Sequence, residues 1–301
     1  MSDVLRFYDW LLNENLVGRK VLPFRKAAFE LPVFNAVGVK RTLIVYKREL
    51  SIPNRKSSYS DLEYGLEPLT QKQKKDVLFC AKTYGSEELY LMLLISFASG
   101  MRLGTICDLK IQTIYNAIPS FESKKIFHLS IGPSVHGAPV ATKFDINGRV
   151  VISEVVLNEI KKYCSGNRRI LRASKASSSV KDILFLNRNG MPYARKGKDQ
   201  SSSLNVELFR IRKSAARNGI DISSFKFHAA RATFASEVAV LGLKTFGYKN
   251  LPAVIGLVKN LLMHKHEKTS LAYISFLKQQ ELLDSFQNVN LEGLDLAEDG
   301  L

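Results

Sequence analysis

The chain has 301 residues, 46% of them hydrophobic and 24% charged, enough for one large or two modest domains that each bury a core. No stretch reaches the ~18 consecutive apolar residues that span a bilayer, and the N-terminus Met1-Ser2-Asp3-Val4 lacks a basic segment followed by an apolar run, so an intracellular, cytoplasmic protein is expected. Forty-four Lys and Arg against 28 Asp and Glu give a net charge of +16, which favours a polyanionic partner over acidic or membrane-embedded ones.

The first candidate helix is Leu5 to Leu16, with apolar residues at helical spacing, and a second, rich in Lys and Arg, is expected over Val39 to Leu50. Residues 51 to 68 mix Pro, Ser, Asn and Gly with charges and read as a linker. Thr70 and Gln73 form a capping-box pattern that starts the next helix, and the apolar run Leu89 to Ser99 is a further helix closed by Gly100. From about 124 to 154 the pattern alternates: Ile126, His128 and Ser130, then Arg149 to Ile152, predict two strands joined by the long connection VHGAPVATKFDING. Helical periodicity resumes over Val155 to Tyr163, followed by a Ser/Lys/Arg-rich loop and a short strand Ile183 to Leu186 that ends in the turn Asn189-Gly190. Leu204 to Arg217 is an amphipathic helix with Arg210, Arg212, Lys213 and Arg217 on or near its polar side, and helices dominate the remainder. Cys80, Cys107 and Cys164 lie too far apart for a disulfide framework or paired zinc half-sites and read as buried thiols.

Four short motifs bear on chemistry: Arg102 in ASGMRLGT, His228 and Arg231 in FHAARATFAS, His264 in LLMHKHEKTS, and Tyr273 nine positions later in TSLAYISF. Singly, each has an ordinary explanation. An arginine after a glycine forms surface ion pairs, HxxR recurs by chance, and His264 and Tyr273 fit a structural histidine and a core aromatic. Their order is more specific. An arginine, a lysine-bearing hairpin, HxxR, then His and Tyr in sequence resemble the catalytic domain of the tyrosine recombinases, or phage integrases. The strand and turn Leu184 to Pro192 and the helix ending in AARNGI are similar to that family too, and the similarity covers roughly residues 67 to 280.

The resemblance implies a mainly α fold with a small antiparallel sheet, preceded by a short helical DNA-binding domain. It also implies cleavage and rejoining of duplex DNA through a 3′-phosphotyrosyl intermediate, the chemistry of integrating or excising a mobile element. Displacement at a phosphodiester gathers negative charge on the non-bridging oxygens, which planar, permanently charged guanidinium groups stabilise. Arg102 and Arg231 take that role under the resemblance, with His228 assisting through the tyrosine proton and His264 donating to the phosphate. Tyr273 is the nucleophile, with Tyr248 as its rival. Lys143, on the hairpin, is the candidate proton donor to the leaving 5′-hydroxyl, with Lys124 and Lys125 as competitors. Lys40, Arg41, Lys47 and Arg48, together with the cations at 210 to 217, are candidates for phosphate contacts. The chain has no HExxH motif, no two-metal carboxylate cluster and no GxxxxGK[ST] loop, so neither metal nor nucleotide cofactor is expected.

Two positions and one interval depart from the family pattern. Thr105 stands where an acid is usual, Met263 stands where a glycine precedes the third-motif histidine, and 33 positions separate Arg231 from His264, a longer interval than the family's. The expected organisation is a reduced or truncated helical clamp domain with linker over 1–66, the catalytic domain over 67–280, and an acidic tail over 281–301. The tail carries six acids and no Lys or Arg, so residues 1–280 hold +22 (+16 less the tail's −6). A tetramer on paired DNA sites, with a directionality factor as a further partner, is the assembly the resemblance implies. A DNA-binding regulator that kept the fold without cleavage, and a monomeric type IB topoisomerase-like enzyme, are the alternatives.

Overall fold

The computed structural model describes residues 2–18, 26–34, 40–48, 62 and 67–293. The chain divides into two compact units, Met1–Lys56 and Ser57–Leu301. In the first, helix α1 (Ser2–Asn13) stacks Phe7 on Trp10 with ring centroids 5.9 Å apart. Strands β1 (Lys26–Phe34) and β2 (Lys40–Arg48) pair antiparallel, with Lys26 opposite Arg48 and Phe34 opposite Lys40. The helix expected over Val39 to Leu50 is therefore a strand. Its centre, Thr42-Leu43-Ile44-Val45-Tyr46, is β-branched and aromatic, and those side chains lose rotamer freedom in a helix but suit a pleated ladder. Lys40, Arg41, Lys47 and Arg48 lie on that strand, with side chains outside the described residues.

The second unit opens with α2 (Gln71–Tyr84), where Thr70 accepts from the Gln73 N–H at 3.2 Å and the Gln73 side chain accepts from the Thr70 N–H at 2.9 Å. Helix α3 (Glu87–Ser99) is apolar on nearly every side, with Leu89, Leu91, Met92, Leu93, Ile95 and Phe97 all buried, and so forms the centre of the larger core. It ends at Gly100, whose φ of +67° turns the chain. Two short helices follow, α4 (Leu103–Cys107) and α5 (Ile111–Tyr115).

The sheet comprises β3 (Ile118–Pro119), β4 (Ile126–Ile131) and β5 (Gly148–Ser153), antiparallel in that order, with Ile126 opposite Ser153 and Ile131 opposite Gly148. This mainly α architecture with a small antiparallel sheet is the fold expected from the sequence. Helix α6 (Glu154–Ser165) is followed by α7 (Asn167–Ala173), inside the segment read as a loop. Tertiary hydrogen bonds hold α7: the Arg169 guanidinium, 3% exposed, donates to the carbonyls of Lys181 and Ile183 at 2.5 and 2.7 Å. Ile183 to Leu186, expected as a strand, makes only isolated bridges, Ile183 with Lys110 and Leu186 with Pro192.

After α8 (Ser202–Arg217), helices α9 (Ala229–Phe246), α10 (Leu251–Leu262) and α11 (Glu267–Gly293) enclose a second core of Ala235, Val238, Val254, Val258, Tyr273 and Ile274. Helix α11 continues through residue 281, where the sequence reading started the tail, as far as Gly293. The three cysteines are free and buried. No helix among the described residues is long and apolar enough to cross a membrane.

Candidate active site

The site is built around the turn that follows α3. Gly100 bends the chain so that its carbonyl accepts from Arg231 Nη1 at 2.5 Å, and Arg102, two residues on, occupies the N-cap position of α4. Asp199 Oδ1 accepts from the Gly104 N–H at 2.9 Å, satisfying one of the donors that a helix start leaves open, so α4 is held from both sides of Arg102. Arg231 is 3% exposed in the first turn of α9 and sends its Nη2 to the Leu262 carbonyl at 3.0 Å. One guanidinium thus ties together the α3–α4 turn, the start of α9 and the end of α10. A buried charge with fixed geometry results.

Arg102, Arg231 and Lys143 line a single small cavity, together with Thr105, Thr142 and Met263. Met263 is in the left-handed region, with φ +52°, at the C-cap of α10, which is the conformation that favours the glycine of the family pattern. Its side chain lies along Gly148 of β5: a Cβ built there would be 2.8 Å from Met263 Cε, the flexible end of that side chain. The adjacent His264 is 5% exposed, with Nδ1 at 2.9 Å from Ser270 Oγ. Its ring stacks on Tyr273, with centroids 6.1 Å apart and planes within 8°. Tyr273 is wholly buried.

Lys143 is exposed, in a single 3₁₀ turn (Lys143–Asp145) of the β4–β5 connection, and its Nζ is 5.4 Å from the Phe144 ring centre. Lys265 Nζ is 5.1 Å from the same ring, so Phe144 bridges the hairpin loop and the His264 segment. His228 is half-buried at the N-cap of α9 and lines a different space, an open groove of about 1410 Å³. That groove is also lined by Lys110, Arg195, Lys196, Lys198, Arg212 and Lys226.

The structure therefore brings together Arg102, Arg231 and Lys143, and places His264 against Tyr273 one residue beyond a wall of the same cavity. The alternatives stand elsewhere: Lys124 and Lys125 are exposed beside β4 and line neither space. Tyr248 sits on an exposed 3₁₀ turn and donates to Glu281 Oε2 at 2.5 Å. Of the four α8 cations only Arg212 reaches the groove, where its Nη2 donates to the Phe225 carbonyl. Arg210, Lys213 and Arg217 are exposed. Sequence reading missed Asp108, Lys110, Ser270 and the basic loop at 195–198. The last carried a signal, three cations around a glycine after a turn; the others have none apart from the fold. Among the described residues no group of three or more His, Cys, Asp or Glu could hold a metal ion.

No family model matches the chain, and no curated protein matches it. Solved structures do. The XerH site-specific recombinase bound to a palindromic difH substrate is 18% identical with a TM-score of 0.47, over 77% of this chain and 53% of that one. The Tn1549 transposon integrase in complex with a circular intermediate DNA is 17% identical with a TM-score of 0.47, over 69% and 60%. The catalytic domain of bacteriophage HP1 integrase is 16% identical with a TM-score of 0.39, over 70% and 88%. By fold, this chain resembles site-specific recombinases and integrases. It spans about half of the XerH chain and three fifths of the Tn1549 integrase chain. No residue role follows from these likenesses.

Proposed function

We propose that the chain is a site-specific DNA recombinase that cuts and rejoins duplex DNA through a tyrosyl phosphodiester. The observation that carries this reading is the convergence of two guanidinium groups and one ammonium, Arg102, Arg231 and Lys143, on a cavity whose wall at Met263 leads directly into the stacked His264–Tyr273 pair. In the reaction Tyr273 Oη, once α11 has shifted, attacks phosphorus and loses its proton to a base, for which His228, on the neighbouring groove, is the candidate. The two arginines, with His264, take up the charge on the non-bridging oxygens. The bond from phosphorus to the 5′-oxygen breaks, and that oxygen receives a proton from Lys143. The phosphotyrosyl bond conserves the energy of the phosphodiester, so a second DNA end reverses the attack without ATP. Because Tyr273 is wholly buried, cleavage requires the first turns of α11 to shift. DNA is the trigger for that shift. On this reading the DNA sites are those at the ends of a mobile element, and the active assembly is a tetramer.

The same burial of Tyr273 favours one rival, a chain that binds DNA without cutting it. A suicide-substrate assay separates the two. Nicked duplexes from a randomised pool are incubated with the protein, and covalent adducts are isolated on denaturing gels. An adduct formed by the wild-type chain and lost in Tyr273→Phe is expected. Salt-sensitive binding to the same pool without any adduct would establish the rival.

A further inference from the structure

We propose that Asp108 is a positioning residue that fixes the loop carrying Lys143 and thereby places the proton donor at the leaving oxygen. The proposal rests on the reading of Lys143 as that donor. Asp108 follows α4 and is 5% exposed, an expensive site for a carboxylate unless each oxygen is matched. Both are matched: Oδ1 lies 3.1 Å from Lys110 Nζ, and Oδ2 accepts from the Ala141 N–H at 2.7 Å. Lys110 is 9% exposed, so its ammonium neutralises Asp108 with little competition from water.

The Ala141 hydrogen bond falls at a decisive point on the chain. The connection between β4 and β5 returns towards β5 through Val140, whose N–H donates to the Gly132 carbonyl at 3.0 Å, and then through Ala141 on Asp108. Beyond Ala141 the loop leaves the core. Lys143 and Phe144 are exposed, and a local turn, in which Thr142 Oγ1 donates to the Ile146 carbonyl at 2.7 Å, gives it shape. Asp108 thus anchors the chain to the protein interior two residues before Lys143. A charge-assisted hydrogen bond to a backbone N–H is shorter and stronger than a neutral one, which suits it to hold a loop whose tip faces solvent. Asp108 and Lys110 also line the basic groove, so the anchor joins the groove wall to the cavity that Lys143 lines.

General-acid transfer demands tight placement, since a displacement of ~1 Å costs on the order of 10²-fold in rate. That sensitivity gives a test which a merely structural role would not pass. The substrate is a duplex selected from the randomised pool as an adduct of the wild-type chain. It is made in two forms, with the ordinary phosphodiester and with a 5′-bridging phosphorothiolate at the cleaved position, whose thiolate leaves without needing a proton. Lys143→Ala should lose cleavage of the first form and recover it on the second. Asp108→Ala should lose about 10²-fold on the first and return to within a few-fold of wild type on the second, so that the ratio of the two rates, which is independent of any change in duplex binding, reads the placement of Lys143. Asp108→Asn, whose amide oxygen can still accept from Ala141, should fall between. Should Asp108→Ala fail to fold because Lys110 is then buried without its carboxylate, Asp108→Ala/Lys110→Met, with no buried charge, carries the test through the same ratio of the two substrate forms, since Lys110 also lines the groove. If Lys143→Ala is rescued by the phosphorothiolate and the Asp108 variants are not, the positioning role is wrong while the reading of Lys143 stands. If Lys143→Ala is not rescued, the proton-donor reading falls and the proposal with it. No adduct from the wild-type chain removes both.

Discussion

Arg231 spends both terminal nitrogens on backbone carbonyls, those of Gly100 and Leu262, while it lines the cavity shared with Arg102 and Lys143. A lysine carries the same charge on a single point and cannot reproduce this fork. Arg231→Lys should therefore leave at least one buried carbonyl without its donor and lower stability by about 1–3 kcal/mol, read as a reduced denaturant midpoint with an unchanged slope. Wild-type stability in this variant would show that the two carbonyl contacts carry no weight. Gly100 is constrained from the other side of the same hydrogen bond. Its φ is +67°, and a Cβ there would come within 2.5 Å of Phe234 Cδ1. Gly100→Ala should cost at least about 1–2 kcal/mol for the left-handed backbone, with the displacement of the Phe234 ring added. Cleavage should fall with it, because this turn sets both Arg102 and the acceptor for Arg231.

Helix α3 shows how one charged residue can order several elements. Glu88, wholly buried near its N-terminus, accepts from Arg168 Nε at 2.8 Å on α7 and from Tyr163 OH at 3.0 Å on α6, with Arg172 Nη2 at 2.9 Å. Arg172 reaches on to Tyr193 OH at 3.1 Å, at the base of the basic loop. Glu88→Ala strands these partners and should destabilise the unit by about 3–5 kcal/mol, measured by thermal or chemical unfolding; a loss below 1 kcal/mol would mean that the network is dispensable. Nothing in the sequence marks Glu88, which sits at the edge of an apolar run. The same gap hid α7, whose stability comes from arginines bonded to distant carbonyls instead of from periodicity. Local signals were legible where local physics decides: the Thr70–Gln73 cap, the Gly100 turn, and the alternation of β4 and β5. In β2 the charged ends suggested a helix, while the β-branched centre decided for a strand. At the candidate site, Arg102, Lys143, Arg231, His264 and Tyr273 were singled out by a family resemblance in their order and spacing, and the fold brings the first three to one cavity and stacks the last two. Asp108 and the groove cations depend on chain segments far apart in sequence, so only the folded chain brings them together.

Across the whole molecule, charge sets two dependences on conditions. Burial holds several acidic protons in the folded state: the Cys107 thiol is pushed up to about 12 by desolvation and then by Asp199 and Asp108, and that of Cys164 to about 11, mainly by burial. Desolvation, with Glu88 beside them, raises Tyr163 and Tyr193 as well. Unfolded thiols release their protons near pH ~8.5 and phenols near ~10, so above those values the unfolded chain binds fewer protons than the folded one. Stability should then be full below about pH 8 and fall steadily towards pH 12, and unfolding curves taken across that range would check it. The second dependence tests the proposed function by asking which face would take the DNA. Six cations line the groove, whereas Arg210, Lys213 and Arg217 are exposed on α8 and do not line it. Each phosphate contact releases counterions and contributes about 0.9 to the slope of log affinity against log salt. If duplex DNA runs through the groove, Lys196→Ala/Lys198→Ala should reduce that slope by about 1.8, and Arg210→Ala/Arg217→Ala should leave it unchanged. The reverse pattern would put the duplex on the outer face of α8, as the sequence alone had suggested, and would separate the DNA path from the wall that His228, Asp108 and Lys110 share.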